Sequence, residues 1–324
     1  MACFDVIDTP GISRMTSRAF HLVAKHLVVA LLVIVVVDAI WAEAAWSMFN
    51  GGSMRLSARI RGWEAQLLGA VLFWIAGFFL GLLVLRKRWP VAVTRKLLSI
   101  AVYSTPFWIG LTLGFQYNYS WNIAFFIQDV HWSLALYAGC LLVLVLPIRR
   151  RVSFFATMFA AIDRPEDRPF TLTWLMTSTA AAWIVLIVWL VSGPPYYFVA
   201  TALFISAVGD GLAEPVGYFW GHNKYQVRAL GTSRRYTRSL EGSACVFLSA
   251  VVGIFLFYPG LGYYPNSDFF EFPLSLILLP AIATFAEAKS PHTWDQPIIL
   301  AACALTTSIV QISSPIAVSA IQAL

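Results

Sequence analysis

Apolar runs of about 20 residues recur along this chain, and that length is what a helix needs to cross roughly 30 Å of hydrocarbon. About nine are legible, near residues 27–46, 66–85, 97–115, 131–148, 172–192, 196–213, 243–260, 272–288 and 298–321. Helix is the favoured form, because lipid offers no water to satisfy the edges of a strand. With 59% hydrophobic and 12% charged residues, the chain cannot be folded around one water-soluble core. An all-α, polytopic membrane bundle is therefore expected. No fixed-period repeat or low-complexity linker divides it, so one transmembrane domain is expected over 27–324.

Lys and Arg set its direction, since inner loops hold the excess. With residues 1–26 on the cytoplasmic side, 19 of the 22 Lys and Arg residues fall inside, and only Arg55, Arg59 and Arg61 fall outside. The net charge of +6 is then mostly a topology signal with attraction to anionic lipid headgroups, and nucleic acid need not be invoked. The stretch around Arg55, Arg59 and Arg61 fits either a short interfacial helix or a loop. The first span, interrupted by Asp38 near its outer end and by Glu43 beyond it, is expected to be a retained anchor rather than a cleaved signal. A bacterial inner membrane is the expected location. Cys3, Cys140, Cys245 and Cys303 are scattered, which suits neither a disulfide framework nor a metal site.

One long stretch departs from this greasy pattern: GDGLAEPVGYFWGHNKYQVRALGTSRRYTRSLEGS, residues 209–243. It reads as a cytoplasmic loop where the chemistry should lie. If the sixth span continues through it, Asp210 and Glu214 are four residues apart and share one helix face. Ionisable groups at that depth are functional candidates, and paired carboxylates suit Mg²⁺, which binds one or two acids and then borrows substrate phosphates. Pro215 is expected to end or kink the helix near Ala213 or Glu214. Gly209, Gly211, Gly217 and Gly221 allow close approach of backbone to backbone or ligand. Lys224, Arg228, Arg234, Arg235 and Arg238 follow, a density of cations suited to a polyphosphate. Acids for a metal followed by cations for phosphates describe a phosphoryl-transfer site. The plainer alternative is a basic inner loop in which Asp210 forms an ion pair with one of the arginines. No Walker or protein-kinase motif is present.

GDGLAEPVG, then Gly221, Lys224 and Tyr225, then TRSLEGS, resemble the membrane-bound polyprenol kinase family, which includes dolichol, phytol and farnesol kinases and a CTP-dependent diacylglycerol kinase. The resemblance implies a cytidine-nucleotide site in which Asp210 is the essential acid, Lys224 a phosphate contact and Arg238 the basic position. Ser239, Glu241, Gly242 and Ser243 then match the family's terminal segment of that site. A second match, ATFAEAKSPHTWDQPIIL, supplies Glu287, Ser290, Pro291, His292, Asp295 and Pro297 in a turn on the same side. A third is partial: the family's RKxxH reads here Arg95, Lys96, Leu97, Leu98, Ser99, with the histidine missing, which puts an acid-base role at that position in doubt. The match covers roughly the last 130 residues, and the earlier part only in hydropathy.

These readings imply a CTP-dependent lipid-alcohol kinase acting at the cytoplasmic face with Mg²⁺. Asp210 and Glu214 are the expected metal ligands, Glu241 a nearby acid, and Glu287 or Asp295 the proton acceptor. His292, between Glu287 and Asp295, is a further candidate to touch substrate. Two alternatives stay open. One is CDP-lipid synthesis by a phosphatidate cytidylyltransferase, whose long signature run is absent; the other is a non-catalytic transporter or lipid-binding scaffold. Asp129, His131 and His222 are expected to be structural or solvated.

Overall fold

The computed structural model describes residues 56–100, 140–230, 233–258 and 271–322, with the backbone alone at 56–69, 196 and 314–322. The segment 1–26, the span near 27–46 with Asp38 and Glu43, most of 97–115, the first half of 131–148, and Asp129 and His131 lie outside the described residues.

Helix α1, Leu56–Lys87, takes in Arg59 and Arg61 of the stretch read as interfacial helix or loop, without a break. Its 32 residues span about 48 Å at 1.5 Å per residue. It ends on Arg88, held at a left-handed φ of 55°. Pro90, whose ring fixes a helical φ, then opens α2, described over 91–100. The short helices α3, Leu146–Arg149, and α4, Ser153–Ala160, follow. Gly81 of α1 lies against the Thr157 carbonyl of α4 so closely that a Cβ there would collide with it. A 3₁₀ turn, Pro165–Asp167, leads into α5, Thr171–Val191.

The next rod is α6, Tyr196–Phe204, a π turn, Ile205–Gly209, and α7, Asp210–Trp220. The expected break at Pro215 does not occur, and the helix runs on to Trp220. Proline removes one backbone donor, a loss that helices packed on several sides absorb. The irregularity falls instead at the π turn, immediately before Asp210, a form of helix defect common at functional sites.

The remainder of the polar stretch is not a loop. Strands β1, Lys224–Arg228, and β2, Arg235–Ser239, form an antiparallel hairpin with Tyr225 opposite Arg238 and Val227 opposite Tyr236. These four therefore share one face. The fold is helical with this one small sheet among the described residues, a departure from the all-α expectation. Ser239 ends β2 and caps α8, Leu240–Phe257, its Oγ accepting from the Gly242 amide at 3.0 Å. Helices α9, Glu271–Lys289, and α10, Asp295–Gln322, complete the order.

Among the described residues, six helices are long and apolar enough to cross a membrane: Ala70–Lys87, Thr171–Val191, Tyr197–Trp220, Leu240–Phe257, Glu271–Lys289 and Asp295–Ser313. They match six of the expected spans; 27–46 and most of 97–115 fall outside the described residues, and the described half of 131–148 is broken by a turn at 143–145 before α3. Val188, Leu256, Ile277, Phe285, Leu305 and Ile312 of these helices point outward. So broad an exposed apolar surface suits lipid rather than water.

Among the described residues, two cores hold the bundle. One joins α5, α6, α8, α9 and α10 through small residues such as Ala182, Ala202, Ala250 and Ala283, which let backbones approach as membrane helices do. The other joins α1, α2, α4 and the 140–144 segment. Helix α5 serves both, packing Leu172 and Leu175 against the second core and Ala182 and Leu186 into the first. Cys140, Cys245 and Cys303 are free thiols, as their scatter implies.

Candidate functional site

The first turn of α7, the N-terminus of α8, the C-terminus of α9 and the first turn of α10 meet at one end of the bundle. With α2 and the hairpin they wall a cavity of about 960 Å³. That volume accommodates a nucleotide-sized ligand. Asp210, Glu214, Glu287 and Asp295, which come from three different helices, all line it. Seven cations line it as well: Arg95, Lys96, Arg164, Lys224, Arg234, Arg235 and Arg238. Each lies in a segment that the charge count places on the inner side.

A chain of ion pairs runs across the floor. Lys96 Nζ donates to Asp210 Oδ2 at 2.7 Å and lies 3.8 Å from Asp295. Arg238 lies 3.7 Å from Asp295 and donates to Glu287 Oε1 at 3.0 Å, to Ser290 Oγ at 3.1 Å and to the Glu287 carbonyl. Burial works against the Arg238 charge, but Asp295, Glu287 and Asp210 outweigh it and hold the guanidinium protonated. Ser243 Oγ donates to Glu287 Oε2 at 2.7 Å and is bonded to the Tyr225 hydroxyl at 2.7 Å. Burial, with the Glu287 charge nearby, raises the Tyr225 phenol above its ordinary value.

Asp210 and Glu214 share the cavity, as their spacing implies, but each meets a different cation, because Arg164 forms an ion pair with Glu214. Asp210 is grouped instead with Asp295, through Lys96. Among the described residues, no group of three or more His, Cys, Asp or Glu side chains is placed to hold a metal by itself. Magnesium needs only one or two carboxylates when phosphates complete its shell, and Asp210 with Asp295 meets that requirement.

Lys224, Ser239, Gly217, Gly242, Ser243 and His292 also line the cavity. A Cβ on Gly242 would strike the Ala213 carbonyl, and one on Gly217 would come 2.8 Å from Ser239 Oγ, so both glycines let α7 and the start of α8 close on each other. Gly209, Gly211 and Gly221 do not line it. They pack against Val246 and Ser249, Ile100, and Ser239 respectively. Arg228 is exposed away from the cavity. Glu241 is also outside it, its Oε1 accepting from the Asn223 amide and side chain at 3.1 Å, which ties the hairpin to α8. Ser99, at the missing histidine, accepts from Gln296 Nε2 at 3.2 Å and so packs α2 against the first turn of α10.

Sequence reasoning missed a second cluster. Asp167, fully buried in the 3₁₀ turn, accepts from Arg95 Nη1 at 3.1 Å, and its Oδ1 lies 3.0 Å from His292 Nε2. Arg164 Nη1 lies 3.2 Å from the same nitrogen. Tyr236 stacks on the His292 ring at 3.5 Å and 8°, and the His292 amide donates to the Arg228 carbonyl at 3.0 Å. Arg164 had entered only as a topology charge, and the signal that was available is the charge-dense DRPEDRP between two apolar helices.

Burial would raise Asp167, but the His292 hydrogen bond and the Arg95 and Arg164 charges outweigh it and hold the carboxyl at about 2. His292 is shifted the other way. Burial lowers it below its ordinary 6.5, the Arg164 and Arg95 charges add to this, and Asp167 only partly opposes them. A depressed folded value means stability that is present above about pH 6.5 and lost as pH falls through the folded value. The melting temperature in detergent, scanned from pH 7.5 to about pH 5, is therefore expected to fall further for the wild type than for His292→Gln. Parallel curves would show that His292 is not the responsible group.

No protein-family model matches this chain, and neither a curated protein nor a solved structure does so.

Proposed function

We propose that this protein transfers a phosphoryl group from a nucleoside triphosphate to the hydroxyl of a membrane lipid alcohol, at the end of the bundle where the cavity opens. One observation carries the reading: four acids from three apolar helices and seven cations converge on one cavity of about 960 Å³. Carboxylates for a metal beside cations for a polyphosphate are what phosphoryl transfer requires, since its catalysis is positioning and charge neutralisation. The choice of CTP as donor rests on the resemblance of the Asp210, Lys224 and Arg238–Ser243 pattern to polyprenol kinases.

Asp210 and Asp295 would hold Mg²⁺, and the chemistry it would supply there is neutralisation of phosphate charge. Lys96 and Arg238 exchange their carboxylates for phosphate oxygens, and Lys224 at the exposed rim meets the incoming nucleotide. Ser243, which lines the cavity and already donates to Glu287, is the route by which the hydroxyl proton reaches the Glu287 carboxylate. The lipid body stays among the apolar spans, so the acceptor hydroxyl arrives at the membrane interface. The inner-side location follows from the distribution of Lys and Arg.

The test is incubation of the detergent-purified protein with Mg²⁺, γ-labelled CTP and a panel of lipid alcohols, scored for label in the organic phase. Labelled lipid is the expected result. Pyrophosphate released in the presence of lipid phosphates, with no labelled lipid, would replace the kinase with a cytidylyltransferase, and substrate flux without nucleotide would make the protein a transporter.

A further inference from the structure

We propose that Asp167 is a positioning residue that fixes Arg95, Arg164 and His292 as a preformed polyphosphate-binding wall of the cavity. This rests on the reading of the cavity as a polyphosphate site and adds to it Asp167 and Arg164, from a connector that carries no part of the family pattern. Arg95, Arg164 and His292 all line the cavity, whereas Asp167 lies behind them and does not. Its two oxygens are divided between partners: Oδ2 takes Arg95 and Oδ1 takes His292. Arg164 lies 3.2 Å from the same histidine nitrogen, which gives its single hydrogen to Asp167, so Arg164 is placed by the charge of Asp167 beside it and by its ion pair with Glu214. One buried carboxylate thus sets the relative positions of groups from α2, from the connector before α5, and from the turn between α9 and α10.

The wall also has backing from the hairpin. Tyr236 stacks on His292, and its hydroxyl donates to the Glu166 carbonyl at 3.2 Å. Arg234 Nη1 donates to the carbonyls of Glu166 at 2.8 Å and Arg168 at 3.1 Å, which ties β2 to the turn that carries Asp167. A guanidinium held by a buried carboxylate loses little further freedom when a phosphate arrives, which strengthens binding by lowering the ordering cost. The floor acids, by contrast, face the opposite requirement of releasing their cations when substrate enters. The cavity therefore has a fixed cationic wall and an exchangeable ion-pair floor.

The experiment measures binding of inorganic tripolyphosphate to the full-length protein in detergent by calorimetry, which needs no turnover. Asp167→Asn is compared with Asp163→Asn, a charge change nearby in the same connector whose carboxylate bonds Arg168 and Thr171 and does not line the cavity. Asp167→Asn is expected to weaken binding at least about tenfold, and Asp163→Asn to leave it unchanged. Equal binding by wild type and Asp167→Asn, or equal loss in both variants, would overturn the proposal. If Asp167→Asn does not fold, the double variant Asp167→Asn/Arg95→Gln removes the buried charge together with its partner, and binding within twofold of wild type overturns it. Tripolyphosphate binding that depends on Asp167 in a protein that labels no lipid sinks the kinase reading alone. Lipid labelling with a nucleotide KM unaltered by Asp167→Asn sinks this inference alone.

Discussion

Asp210→Asn is expected to lower nucleotide-dependent lipid phosphorylation by on the order of 10³-fold while the protein stays folded. Asp210 is almost completely buried, its side chain 3% exposed, and its partner Lys96 is held at 2.7 Å. The substitution keeps the shape and removes the charge, so the cavity floor loses half of the carboxylate pair that would hold Mg²⁺. Folding survives, because Lys96 retains Asp295 at 3.8 Å and the amide oxygen still accepts its hydrogen bond. The check is kcat with γ-labelled CTP beside a melting curve in the same detergent. A variant that melts like wild type and keeps more than a tenth of its rate, with unchanged Mg²⁺ dependence, would remove Asp210 from the chemistry. Loss of folding instead of rate would make the Lys96–Asp210 pair a structural clasp.

The membrane helices were legible because their signal is collective. Twenty apolar residues in Thr171–Val191 need no particular neighbour to be read as a span. The end of such a span is harder to read, because it depends on packing. Asp210–Trp220 looked like the start of a loop from Pro215 and its glycines, yet it is helix, since α8 packs along it and Gly242, having no Cβ, leaves room for the Ala213 carbonyl. The hairpin was missed for a related reason. KYQVR and RYTRS alternate over only five residues each, and a two-stranded sheet of that length is marginal alone. What holds it is remote in sequence: the His292 amide on the Arg228 carbonyl, the Tyr236–His292 stack, and Arg234 on the 166–168 turn.

The site was legible by residue type and not by pairing. Asp210, Glu287 and Asp295 reach one cavity, because chemically unusual residues at the ends of apolar helices have few other places to go, and the hairpin brings Lys224 and Arg238 to it. Their partners could not be read. Lys96 and Arg164 carry the same positive-inside signal as Arg150 or Lys87, and nothing local separates a cation that faces headgroups from one that closes on an acid of a distant helix. Asp167 is the extreme case. It lies in a short polar connector, yet burial among Arg95, Arg164 and His292 makes it one of the least exposed charges described.

Arg238→Met is expected to be the most destabilising single change at the site, costing about 3 kcal/mol. Removing one member of a buried ion pair leaves the other charge in a poorly solvated place, and that penalty typically reaches about 3–5 kcal/mol. The lower end applies here, because Ser243 still donates to Glu287 and Lys96 remains near Asp295. Methionine roughly keeps the length of the side chain, so the loss measures charge and hydrogen bonds rather than a cavity. Adding Glu287→Gln should recover much of the melting temperature, since the stranded charge is then gone. Activity should not return with it, because the cation that would meet the transferring phosphoryl group is still missing. A double variant that regains both would show that Arg238 serves the fold alone. A single variant that melts like wild type would show that the hairpin is held by the Asp167 cluster without help from the floor.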